Sequence, residues 1–295
     1  MNGFLSELGK KLAERWLSLL ALPGMLYLAA VTVAMTLGHA HPLDLGELSH
    51  HITNWSSSRS FRSVGGTVLI MVVALLGSIV VGLAVGALGT VVEMVWTLPG
   101  RRGPARWLAA RRRSRSRKAK DRADNATSEA ELAEAIAAAN RICLLEADRP
   151  TWIGDRLRVT RLRIAAVYGL DLDSAWARLW LIVPEDTRKA VASAGDAFAA
   201  STRITAWGIL YVLLGAWWWP SLLIGFGILV TARVRSRSAT TNLAELIEAV
   251  VDLHAHELAD SVKLAHDTYT DPDVGKRINR FVQKSRWDPT SALAD

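Results

Sequence analysis

A single cysteine stands among 295 residues, so no disulfide within one chain and no multi-cysteine metal cluster can form. Cys143 therefore reads as a small helix-packing residue and says nothing about the redox compartment. Charge is missing from three long stretches: residues 16–37, 63–92 and 204–232 contain no Asp, Glu, Lys, Arg or His. Ion-coupled transporters keep buried ionisable groups inside their spans, so this argues against that class. Acid is missing from a fourth segment, where ten Arg and Lys residues lie between Arg101 and Lys120 without one Asp or Glu. No Ser-His-Asp arrangement, phosphate-binding glycine loop or dinucleotide fingerprint is recognisable. The tail sequence H-E-x-x-D at 256–260 lacks the second helical His of a zinc protease. No catalytic residue and no cofactor is assigned on this basis, and the chain reads as a non-enzyme.

What is present alternates. The composition is 51% apolar yet 21% charged, which suits neither a pure membrane bundle nor an ordinary soluble enzyme. Residues 16–37 are 22 in number, close to the roughly 20 that cross about 30 Å of hydrocarbon. A cleaved signal peptide would have a shorter apolar region, so an uncleaved anchor is expected. The second run is longer than a bilayer requires and must tilt or extend beyond it. Along it Ala74, Ser78, Gly82, Gly86 and Thr90 recur every fourth residue, and Ser78, Gly82 and Gly86 are taken as a helix-packing stripe, serving either this chain or a second copy. In the third run, Trp217, Trp218, Trp219 and Pro220 interrupt 29 uncharged residues. Trp favours the interface, and Arg203 lies before the run with Arg233, Arg235 and Arg237 after it. A tight hairpin is expected, with one kinked span or a re-entrant loop as the alternatives.

Basic flanks stay in the cytoplasm, which gives an expected all-α, multi-pass integral membrane protein with four spans and both termini inside. The expected parts are a cytoplasmic N-terminus (1–15), first span (16–37), extracytoplasmic loop (38–62) and second span (63–96). A polybasic cytoplasmic linker (97–124), a cytoplasmic helical region (125–196), third span (197–217), fourth span (218–234) and cytoplasmic helical tail (235–295) follow. Asn2, Lys118 and Asp295 are then inside and Ser57 outside.

Within the linker, Arg111, Arg112, Arg113, Arg115, Arg117 and Lys118 are expected to bind anionic lipid headgroups. A nucleic-acid partner is disfavoured, because no aromatic residue interleaves the run for base stacking. Phosphorylation at Ser114 or Ser116 would weaken lipid attraction. Ser128 with Glu131 has capping-box spacing, and Leu132, Ile136 and Cys143 then share a helix face up to the break at Pro150. Trp176, Leu179, Trp180 and Val183 follow at helical spacing, and Pro184, Glu185 and Asp186 look like a helix start. From 242 to about 266 another amphipathic helix repeats Leu243, Leu246, Ile247, Val250 and Leu253.

Pro150, Thr151, Gly154, Leu157 and Arg158, then Tyr168, Gly169 and Asp171, then Trp176, Arg178, Leu179 and Pro184 precede the hairpin; a helix with Asp252, Leu253 and His254 follows it. This block, roughly the C-terminal half, resembles an uncharacterised family of bacterial, actinobacterial-type, multi-pass membrane proteins. The resemblance implies a bacterial cytoplasmic-membrane location and the hairpin topology, and adds no reaction.

His39, His41, His50 and His51, beside Asp44 and Glu47, crowd the outward loop and are candidates for a metal or pH-sensing site, although no spacing matches a defined zinc motif. The leading expectation is a membrane adaptor that presents its cytoplasmic helices to a protein partner. The alternative is a homo-oligomeric pore or channel joined through the small-residue stripe.

Overall fold

The computed structural model describes residues 22–39, 42–44, 46, 49–50, 53, 63–100, 103–143, 145–261 and 272–283. No strand occurs among them, so the all-α expectation holds. The helices are α1 (Leu22–Leu37), α2 (Val64–Thr97), α3 (Gly103–Asp124), α4 (Glu129–Ile142), α5 (Trp152–Tyr168), α6 (Leu172–Ile182), α7 (Glu185–Leu214), α8 (Pro220–Ser261) and α9 (Pro272–Val282). The chain divides into two compact units, Met1–Glu93 with Ala200–Arg235 and Met94–Ala199 with Ser236–Asp295.

In the first unit the helices meet through small residues. A Cβ on Gly24 of α1 would strike the backbone carbonyl of Ser78 on α2, so only glycine permits that approach. Gly89 of α2 lies against Thr202 and Arg203 of α7, where an added Cβ would meet Thr202 Oγ1 and Arg203 Cγ at 3.4 Å. Tyr27 donates to the Leu210 carbonyl at 3.4 Å and stands edge-on to Tyr211. After Leu214 the chain turns back: Trp217 and Trp218 N–H groups donate to the Leu214 carbonyl, and α8 begins at Pro220, a residue suited to a first helical position. Gly225 of α8 then packs on Val212 and Gly208 of α7, which makes the two helices a hairpin across 215–219.

Two helices, Gly65–Thr97 and Glu185–Leu214, are long and apolar enough to cross a membrane. Only 17% of the apolar window of the first is buried, whereas the core helix of a soluble protein is mostly covered. A helix that is apolar all round and little covered by protein is consistent with a membrane span. The α8 run from Pro220 is apolar for 13 residues before Arg233, about 20 Å at 1.5 Å per residue, which is why it falls short of the same criterion. For α1, residues 16–21 of the expected span lie outside the described residues.

The second unit has one core, built from Ile164 of α5, Leu170, Leu172, Ala175, Leu179 and Val183 around α6, Val191 of α7, Val250, Val251, Leu258 and Ala259 of α8, and Val274, Ile278 and Val282 of α9. Trp176 and Trp180 flank it with ring centroids 5.8 Å apart. Two expected boundaries change here. Residues 97–124 are not a linker: α3 is a helix that packs against α4, with Ala109, Ser116 and Ala119 buried. The fourth span and the tail helix are one element, since α8 runs unbroken for 42 residues, and its C-terminal half is core to the second unit. The Arg233 to Arg237 segment that separates the two in the sequence contains three Arg, a good helix former, and no Gly or Pro, so it breaks nothing.

Candidate functional site

Chemistry concentrates on the 143–151 segment, between α4 and α5. Thr151 caps α5 by accepting from the Gly154 N–H at 3.0 Å, which places Asp155 in the first turn, facing back along the segment. Asp155 is 2% exposed. Its Oδ1 accepts from the Asp148 and Arg149 N–H groups at 3.1 and 3.0 Å, and its Oδ2 takes the Arg112 guanidinium at 2.5 Å. Arg112 reaches in from α3 and donates as well to the carbonyls of Arg149 and Thr151 at 2.6 Å and of Ile142 at 2.8 Å. The Cys143 thiol lies 3.9 Å from Asp155 Oδ2; burial first, then that carboxylate, pushes its pKa up, so it stays a protonated, inert group.

The segment also closes the end of α2. Arg149 donates to the Thr97 carbonyl and Thr151 Oγ1 to the Trp96 carbonyl, two of the acceptors a helix leaves without intrahelical partners at its C-terminus. Burial, then Arg161 and Arg158, lower the Arg149 pKa. Gly154 lies under the same end, where a Cβ would meet the Trp96 carbonyl at 2.5 Å.

A second buried cluster joins α5 to α8. Arg156, 7% exposed, pairs with Glu248 at 3.3 Å; Thr160 donates to the same carboxylate at 2.7 Å, and Arg163 stands 3.6 Å from its other oxygen. Arg237 lies 4.5 Å over the Trp152 ring and donates to the Arg141 carbonyl at 2.7 Å. Tyr168 donates to Asp252 at 2.8 Å, and burial, then that bond, pushes its pKa up to about 12. These groups fix helices to one another, and the oxygens and N–H groups of Asp155 and Arg112 are occupied by protein partners.

The six residues expected to bind lipid separate. Arg112 is spent on Asp155 and three carbonyls, Arg113 donates to the Ala147 carbonyl at 2.9 Å and pairs with Glu146 and Asp148, and Arg117 reaches Glu146 at 3.1 Å. Arg111, Arg115 and Lys118 are exposed. The small-residue stripe separates too: Ser78 and Gly82 are buried, whereas Gly86 has open space beside it. Of the histidines, His39 Nδ1 lies 2.6 Å from the Trp217 carbonyl and must carry the proton of that bond; Trp218 Nε1 donates to the Pro42 carbonyl nearby at 2.8 Å. His50 is exposed, while His41 and His51 lie outside the described residues, as do Asn2, Ser57 and Asp295. No group of three metal-ligating side chains occurs among the described residues.

Asp155, Arg156 and Glu248 escaped the sequence reading. The available signal was an acid in the first turn after a capping Thr, which was open to the plainer interpretation of a charge favoured at a helix N-terminus. Comparison with family models, curated proteins and solved structures finds no match for this chain.

Proposed function

We propose that the chain is a four-span bacterial cytoplasmic-membrane protein with both termini inside, acting as a non-enzymatic adaptor that presents the helices of its second unit to a cytoplasmic protein. The supporting observation is that the buried Asp155 and Arg156 and the half-buried Arg112 and Glu248 of that unit are spent on holding helices together, which suits a rigid display surface. Large apolar side chains stand on its exterior: Leu181 is 76% and Leu253 64% exposed. The hairpin arms of α7 and α8 are short for a bilayer, and the four-span reading has Arg203 and Arg233 reach toward headgroups from their ends. Deleting the tail would remove part of the core, so point changes are the cleaner test. Leu181→Glu and Leu253→Glu should leave the melting temperature within a few degrees and lower recovery of the partner from detergent extracts by tenfold or more, on the order of a hot-spot loss. Unchanged recovery of every co-purifying protein by both variants sinks the docking role of this surface.

The pore reading keeps one specific support, the open approach beside Gly86 on the exposed side of α2. Ser78 is spent on α1 within the chain. A pore built through α2 predicts that Gly86→Ile abolishes both oligomers and ion flux in reconstituted vesicles while the monomer stays folded. Absence of flux from the unmodified protein removes that reading.

A further inference from the structure

We propose that α3 lies on an anionic lipid surface through one face made of Trp107, Arg111, Ser114, Arg115 and Lys118; the inference rests on α2 being a membrane span. At about 100° per residue these five positions fall within an arc of roughly 100°, opposite the buried Ala109 and Ser116, while the buried Ala119 borders it about 40° beyond Arg115. The helix thereby sorts the basic run. Arg112, Arg113 and Arg117 serve the 143–151 segment; Arg122, about one turn past Lys118 on the same arc, borders a groove with Glu131 and Glu134 on α4, so the face ends at Lys118. Arg111, Arg115 and Lys118 are exposed. No acid precedes Asp121 in α3, so the face is of one sign along its length.

The occupant follows from charge and chain length. Five residues separate Thr97 at the end of α2 from Gly103, a reach of at most about 22 Å, so α3 begins close to headgroup depth if α2 crosses the bilayer. Trp107, 62% exposed, sits at that first turn, where an indole favours the interface, and the Arg111 guanidinium lies 5.6 Å from its ring. A single aromatic at one end of the face suits an interface anchor, whereas single-stranded nucleic acid calls for successive stacking platforms. Ser114 lies inside the arc and is exposed, whereas Ser116 is 3% exposed. A negative charge can therefore be added to this face at 114 without opening the α3–α4 packing.

The test uses the full chain with a fluorophore on Ala110→Cys, at the exposed border of the face, in nanodiscs carrying a headgroup-nitroxide lipid. Buried Cys143 stays unlabelled in the folded protein. Expected is strong quenching with phosphatidylserine present, little in phosphatidylcholine alone, and loss of the difference near 1 M salt, where the Debye length falls to about 3 Å. Each basic residue at such a surface is worth about a factor of five, so Arg111→Gln, Arg115→Gln and Lys118→Gln together lower the apposed-to-free ratio on the order of 100-fold. Ser114→Glu lowers it severalfold, and Arg113→Gln leaves it unchanged. Equal quenching in both lipids, no quenching in either, or abolition of quenching by added polyuridylic acid at low occupancy overturns the proposal. A chain that does not co-elute with the discs overturns the membrane reading of α2 instead.

Discussion

Asp155→Ala is expected to lower the stability of the second unit by about 3–5 kcal/mol, the range for removing one partner of a buried ion pair. The change leaves the Arg112 guanidinium, 16% exposed, without its counter-charge, and it leaves the Asp148 and Arg149 N–H groups without their acceptor. A loss of that size corresponds to a fall in melting temperature on the order of 10 °C for a unit of this size. Asp155→Asn keeps one carbonyl oxygen for the two N–H groups but loses the charge and sets an NH2 donor against Arg112 in place of the accepting oxygen, so it should fall between the wild type and Ala. Arg112→Met on its own takes the nearest counter-charge from the buried Asp155 carboxylate, which keeps Arg158 at 3.5 Å and its two backbone N–H donors, and should cost less than Asp155→Ala. Both changes together should cost less than the sum of the two, by about 1–3 kcal/mol, because the pair fails as a unit. Hydrogen exchange separates this account from general loosening: amides 145–151 should exchange faster in Asp155→Ala well below the global transition. A cost under about 1 kcal/mol, with unchanged exchange in that segment, would show that the apolar packing around it holds the segment in place.

The extent to which the sequence announced this arrangement varies with the length scale of the signal. Long apolar runs gave α2 and the arms of the hairpin, because a run without charge has few alternatives. Caps gave the start of α4: Ser128 accepts from the Glu131 N–H, although the reciprocal bond from Glu131 goes to the Thr127 N–H and not to Ser128 itself. The α2 stripe shows where a linear repeat misleads. Residues four apart advance by about 40° beyond a full turn, so a row at every fourth position winds off any straight face. The observed face is Ser78, Gly82, Val85, Gly89 and Val92, with alternating steps of four and three, and Gly86 and Thr90 have rotated away from it. The basic run was legible as charge but not as a helix with two sides, because its assignment depends on Glu146, Asp148 and Asp155, at least 28 positions beyond Lys118. Leu132 and Ile136 share a face of α4 as their spacing indicates, yet they are 40% and 45% exposed; amphipathic spacing shows which residues share a side and not whether anything covers it.

The attachment of α9 had no sequence signal, and it carries the second large effect. Gly169 ends α5 with φ +63°, and an added Cβ there would strike the Pro272 carbonyl; reciprocally, a Cβ on Gly275 would strike the Tyr168 carbonyl, with Gly169 C at 2.7 Å and Leu170 N at 2.9 Å. Every obstacle is backbone, so no rotamer change can relieve it. Asn279 then reads the turn by donating to the Gly169 carbonyl and accepting from the Asp171 N–H, both at 2.9 Å, and Gln283 donates to Asp171 Oδ2 at 2.9 Å. Glycine inside a helix ordinarily costs about 1 kcal/mol relative to alanine, so Gly275→Ala would stabilise an isolated α9. In the folded chain it should do the reverse and lift α9 from the core, uncovering Val274, Ile278 and Val282, whose burial is worth roughly 1.5–3 kcal/mol each as an upper estimate. The matched control is Gly195→Ala in α7, where an added Cβ has open space and the helix should gain roughly 0.5–1 kcal/mol. Asn279→Ala should cost about 1–3 kcal/mol by leaving the two backbone groups of the turn unsatisfied. Limited proteolysis reads the outcome: Gly275→Ala should be cleaved near α9 at least tenfold faster than wild type, and Gly195→Ala no faster. Equal cleavage of the two glycine variants would mean that α9 is held by its apolar face alone and that the double glycine contact is incidental.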